Sequence, residues 1–255
     1  MRNRPKKARH REMDFENSTQ VKCWIFTPEE LHTLRQKASQ DSVKYLKELK
    51  EQRKVEKEQA EKSGIEDATG KPVDVTLSKP IAKCFAKKKM DGSFLEDINN
   101  VSEETEVIIT PEEEQALVNF YCSNLPQLVG PKAKIPRLRR DIKIASTASV
   151  LMRRFFLSNS ILLFNPIAIM IASAFIASKI EDLTVDVRYL EDGSRGLGTH
   201  TKWKEIVESE IDLTKGIDFD LCCFHPYKAV LAYTQDLRGF LKSTVGKQCV
   251  QIIST

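Results

Sequence analysis

Six cysteines and four histidines are the side chains in this 255-residue sequence best suited to holding a metal or attacking an electrophile. Cys23, Cys84, Cys122, Cys222, Cys223 and Cys249 form no C-x-x-C pair. His10, His32, His200 and His225 are scattered, so a zinc site with ordinary ligand spacing cannot be drawn. No disulfide framework shows either, and free thiols in a reducing compartment are the simplest reading. A P-loop, an H-E-x-x-H pair, a dinucleotide fingerprint and a nucleophile–base–acid order are all missing. The glycine-rich stretch Gly193–Gly198 departs from G-x-G-x-x-G and follows no strand, so it reads as a flexible connection. The sequence makes no positive case for catalysis and implies no cofactor. What remains is recognition, and Lys179 is its most conspicuous residue.

Lys179 ends "FNPIAIMIASAFIASKIED", residues 164–182, the most apolar stretch of a chain that is 30% charged. Asn165 suits an N-cap and Pro166 the first helical position. A helix from there to Lys179 has about 14 residues and spans roughly 21 Å. A bilayer core needs about 20 residues and about 30 Å. Extending the span backwards would bury Ser158, Asn159, Ser160 and Asn165, so a membrane crossing fails on length and on polarity. Residues 166–178 are apolar or small at nearly every position, which leaves no face suited to water. Small side chains let other helices approach closely. The stretch reads as the buried central helix of an all-α domain. Taken alone, Lys179 reads as a cap that offsets the negative end of the helix dipole.

Other helices must surround it. "FTPEELHTLRQKA" carries a capping box, with Thr27 as cap, Pro28 first and Glu30 closing. "ITPEEEQALVNFY" repeats the device with Thr110, Pro111 and Glu113, and Ala116, Leu117, Phe120, Tyr121 and Leu125 follow at helical spacing. Ile144, Ala148, Leu151 and Phe155 mark one face of a helix over about 142–157, with Arg153 and Arg154 away from that stripe. "KWKEIVESEIDLTKGIDFDL" offers Trp203, Ile206, Val207, Ile211 and Leu213 for packing, with Gly216 weakening its last turn. A further helix begins at "HPYKAVLAYTQDLRGFL".

The remaining segments are charged or broken. Residues 41–62 read as a solvated charged helix with thin apolar content and i,i+4 pairs, and residues 63–108 as a linker. The N-terminus is basic and lacks the apolar region of a secretory signal; its run from Arg2 to Arg11 reads as a disordered tail that import receptors could also recognise. "KAKIPRLRRDIK" clusters six basic residues without interleaved aromatics, which favours a solvated face over direct nucleic-acid binding. Net charge is only +4.

Several strings resemble the cyclin family, most specifically its cyclin H branch: "WIFTPEELHTLR", "ITPEEEQALVNFY", "ASTASVLMRRFFLSNSILLFNP", "AFIASKIED", "IVESEIDLTKGIDFDL" and "FHPYKAVLAYTQDL". "RRFFLSNS" and "FIASKIED" are the most specific, and the likeness covers about 18–40 and 105–238. It implies a five-helix cyclin box around a buried central helix, with an N-terminal helix and a charged helical insert. It implies a noncatalytic nuclear subunit whose partner is a cyclin-dependent kinase catalytic subunit, within the CDK-activating kinase and TFIIH, alongside a MAT1-type assembly factor. It assigns kinase binding to Lys179 and Glu210, with Ile180 and Phe219 as apolar neighbours.

The resemblance divides the chain into a basic tail (1–17), an N-terminal helix (18–40), a charged helix and linker (41–104), a cyclin box (105–222) and the start of an incomplete second box (223–255), as if the chain were truncated. Asp212, Thr214 and Gly216 make the last box helix more polar than the family pattern. Two alternatives stand beside this reading: a TFIIB-like cyclin-fold module binding nucleic acid through the basic cluster, and a truncated cyclin that binds without activating.

Overall fold

The computed structural model describes residues 15–63, 79–94 and 108–242. These fall into two compact units, residues 1–222 and 223–255. The basic run expected to form a disordered tail lies outside the described residues, except that Phe15–Asn17 form one 3-10 turn.

The first helices are α1 (Thr19–Cys23) and α2 (Pro28–Ser63). Ser18 caps α1, its hydroxyl accepting from the Val21 N–H. The capping box at α2 forms as its sequence dictates: the Thr27 hydroxyl accepts from Glu30 N–H at 3.2 Å and the Glu30 carboxylate from Thr27 N–H at 2.8 Å. An N-terminal helix ending at 40 and a separate charged helix from 41 are expected from the sequence, but the two are one element. α2 runs unbroken for 36 residues, because Glu29 to Ser63 contain no glycine or proline and a shift in polarity does not end a helix. Its first half is held by the buried Leu34, Ala38 and Val43.

The segment 79–94, read as linker, is strapped to the domain. Phe85 and Ala86 are buried against Leu34 and Ala38. Asn159 clamps Lys83 through both main-chain groups, at 2.9 and 2.8 Å, and the Ser158 hydroxyl accepts from Ala86 N–H at 2.9 Å. The Lys88 ammonium binds Glu30 at 2.7 Å and lies over the Phe26 and Phe94 rings. The remainder of the expected linker, 64–78 and 95–107, lies outside the described residues.

Five helices then build the core: α3 (Pro111–Leu128), α4 (Ile142–Phe155), α5 (Pro166–Ile180), α6 (Val187–Gly196) and α7 (Trp203–Gly216). α5 is the central one, touching α3, α4, α6 and α7. Every residue from Ala168 to Ala174 is buried, as are Ile176, Ala177 and Ser178. Its serines return their hydroxyl protons to their own helix, Ser173 to the Ile169 carbonyl and Ser178 to that of Phe175, so polarity there goes unpenalised. No helix among the described residues is long and apolar enough to cross a membrane. The fold is all-α, with an isolated bridge between Lys88 and Phe94 as its β-type pairing among the described residues.

Three details differ from the periodicity. In α3 the buried face is Glu114, Val118, Cys122, Leu125 and Leu128, while Leu117 and Phe120 face outward; the apolar residues of this helix span more than one face, and pairing with α4 and α5 selects one. In α7, Trp203 and Ile211 are exposed. Gly193 and Gly196 sit inside α6, not in a loop: a Cβ on Gly193 would lie 2.7 Å from the Leu138 side chain, so the glycine permits close packing there. In the second unit, α8 (Tyr227–Lys242) places Val230, Tyr233, Leu237 and Phe240 at helical spacing.

Candidate functional site

α5 and α7 end with the same device. Asp182 follows α5 in the left-handed region at φ 54°, and Asp218 follows α7 at φ 51°. Beyond each, a backbone N–H returns five residues: Leu183 to the Ser178 carbonyl and Phe219 to that of Thr214, both at 2.9 Å. This is the Schellman closure, with aspartate where glycine is usual. Asp tolerates this conformation because its short polar side chain bonds locally.

The two closed helices bring Lys179 and Glu210 together. The Lys179 ammonium donates to Glu210 Oε1 at 2.5 Å and lies 3.9 Å from the centre of the Phe175 ring. The lysine side chain is 43% exposed and the glutamate 22%, so the pair is open to a partner. A pair this exposed contributes at most about 1 kcal/mol to folding, so stability is a weak reason for its position. An ammonium carries three donors, and the bond to Glu210 uses one. Ile180 is half-buried beside Lys179, and Ile211, next to Glu210, is 52% exposed. Phe219 is 68% exposed and has φ 53°, a conformation a bulky side chain rarely adopts.

Sequence reasoning missed an anchor that begins at the residue after Phe219. Asp220 is buried, accepting from the Thr19 hydroxyl at 2.9 Å and the Trp24 indole at 3.0 Å. Arg154, expected on an outer face, is also buried. Its Nη1 donates to the Asp220 and Cys222 carbonyls at 3.0 and 3.1 Å and lies 3.9 Å from the Asp220 carboxylate. Lys87 approaches both Asp218 and Asp220, at 2.9 and 3.7 Å. Burial acts to lower the Lys87 pKa, but the Asp218 hydrogen bond and the Asp220 charge outweigh it and leave it raised. No local spacing announces such a cluster, since its members come from four separate segments.

Nothing in this region is poised as a nucleophile. Burial pushes the Cys84 thiol up to about 11 and raises those of Cys23, Cys122 and Cys222. Among the described residues no group of three metal-ligating side chains occurs. Three basic side chains of segment 132–143 stay exposed but are bonded to neighbouring groups. Lys134 donates to the Gly196 carbonyl at 2.6 Å, Arg137 to the Tyr189 hydroxyl, and Arg139 to the Ala133 carbonyl at 3.0 Å.

No family model matches the chain. It is 26% identical over 231 residues to Cyclin-H1-1 of Arabidopsis thaliana, covering 90% of this chain and 57% of that protein. It is 28% identical over 158 residues to Cyclin CCL1 of Saccharomyces cerevisiae, covering 60% and 37%. Among solved structures it is similar to a chain of the CAK complex from Chaetomium thermophilum bound to ATP-gamma-S, with TM-score 0.53, 22% identity, and coverage of 88% of this chain and 53% of that one. The chain thus spans about half the length of the curated relatives it matches. Helices closed around α5, together with that structural likeness, define an all-α cyclin-fold protein. Its sequence is similar to cyclin H proteins of plant, amoeba and frog and to the yeast Cyclin CCL1.

Proposed function

We propose that the chain is a noncatalytic subunit that binds and activates a cyclin-dependent kinase of the CDK-activating type. The observation that carries the reading is the open Lys179–Glu210 pair where α5 and α7 end. The sequence likeness to cyclin H supports this partner class. In such a kinase a helix must be held inward for its own Lys–Glu ion pair to form. Ile180, Phe219 and Ile211 supply apolar surface for burial against that helix. Lys179 bonds backbone carbonyls at its end, and Glu210 accepts from its amides and holds the lysine in place. A MAT1-type assembly factor, TFIIH and a nuclear location belong to the same proposal, together with roles in the cell cycle and RNA polymerase II transcription.

Co-purification of the chain with a CDK-activating kinase catalytic subunit, followed by a phosphorylation assay, tests it. Binding with stimulated phosphorylation supports the proposal. Binding without stimulation selects the non-activating alternative, and failure to bind overturns it.

A further inference from the structure

Arg35 of α2 and Arg153 and Arg154 of α4 line one open cleft of about 440 Å³. None of its lining residues is acidic, and none belongs to the Lys179–Glu210 site. Arg154 is 4% exposed. Its Nη1 is engaged by two carbonyls, and its guanidinium lies 4.9 Å over the Trp24 ring. Its Nη2 is buried without a hydrogen-bond partner, and so is Nε of Arg35. Buried donors of native proteins are almost always paired, and the two unmet ones here belong to arginines that line the same cleft. Arg153 stands at the same cleft, with one nitrogen bonded to Asn119 at 2.5 Å. Planar guanidinium forks match the oxygens of carboxylates and phosphates. The remaining walls are mostly apolar, with Trp24, Phe26, Leu31, Val150 and Leu157 beside Gln20 and Gln115. A free inorganic ion would leave those walls unused.

We propose that this cleft docks a peptide segment of a partner protein that presents an oxyanion, phosphate or carboxylate, next to an apolar side chain. The oxyanion meets the guanidinium groups of exposed Arg153 and half-buried Arg35, and the apolar side chain lies against Trp24 and Phe26.

Trp24 lines the cleft, and Trp203 is the other tryptophan of the chain, so Trp203→Phe leaves a reporter at the site. Short peptides carrying phosphoserine, glutamate or serine beside leucine and phenylalanine are titrated into this variant of the whole 255-residue chain. A saturable change in Trp24 fluorescence with the phosphoserine or glutamate peptide, absent with serine, is expected; the stronger of the two identifies the oxyanion. Arg35→Gln and, separately, Arg153→Gln weaken that binding about tenfold. Arg153 is exposed, so its variant keeps the test decisive should Arg35→Gln misfold. No response to either acidic peptide, equal binding of the serine peptide, or unchanged affinity in the folded variants overturns the proposal.

Discussion

Asp220 accepts the indole N–H of Trp24 at 3.0 Å, which joins residues 196 positions apart. The same carboxylate takes the Thr19 hydroxyl and faces buried Arg154, so it locks α1, α4 and the end of α7 into one arrangement. Asp220→Ala strands a buried guanidinium and two donors at once. Loss of one member of such a cluster costs about 3 kcal/mol. Urea unfolding should show that loss, with a smaller one for Asp220→Asn, which retains an acceptor oxygen. A loss under about 1 kcal/mol for the alanine variant would remove Asp220 from this role.

Gly216→Ala separates packing from propensity. Helix propensity alone favours alanine by about 1 kcal/mol. A Cβ at Gly216, however, would sit 2.5 Å from two carbons of the Phe155 ring, which is fully buried and cannot swing into solvent. Overpacking costs about 1–3 kcal/mol, so the variant should lose stability in thermal or urea unfolding. A stabilised protein would show that α4 and α7 have room to separate.

Phe219 is strained and exposed together. Placing a non-glycine residue in the left-handed region costs roughly 1–2 kcal/mol, whereas glycine adds roughly 0.5–1 kcal/mol of unfolded-state entropy. Phe219→Gly should therefore leave stability unchanged or slightly raised. If Phe219 contacts the kinase, affinity falls in the same variant. Stability and binding moving down together would instead make it a packing residue.

Glu114 gives the protein an acid-range pH dependence. Burial raises its pKa above the ordinary glutamate value, against opposing hydrogen bonds from Ile161, at 2.6 Å, and Ser160. A carboxyl raised on folding contributes stability that is fully present below its unfolded pKa of about 4.3 and is lost as pH rises through its folded value. Glu114→Gln keeps an acceptor for Ile161 and removes the ionisation. Its unfolding free energy should exceed that of the parent chain near neutral pH, with the advantage fading as pH falls. An advantage independent of pH would exclude the ionisation as its source.

Much of the core was legible because its signals are local. Thr27, Pro28 and Glu30 fix one helix start, Thr110, Pro111 and Glu113 another. Apolarity on every side of residues 166–178 identifies the central helix, since only surrounding protein can satisfy it. The helix ends were less visible because Asp182 and Asp218 do the work expected of glycine. The continuity of α2 was obscured by a change in polarity without a breaker. The 79–94 strap depends on Ser158 and Asn159, which lie in the string "RRFFLSNS" but whose partners lie over 70 positions away. As for the site, Lys179 stood out at its helix end, yet its pairing with Glu210 came from the family resemblance and not from spacing. The Asp220–Arg154 anchor had no signal of its own, since nothing local distinguishes these charges from solvated ones.

The central claim is that the Lys179–Glu210 pair is spent on a kinase and not on the fold. Isothermal titration of the kinase catalytic subunit into the parent chain and into Lys179→Ala/Glu210→Ala tests this most directly, with unfolding measured on both. The double variant should lose no more than about 1 kcal/mol of stability while its kinase affinity falls at least about a hundredfold, as for loss of desolvated interface charges. Equal affinity in a folded double variant would contradict the account.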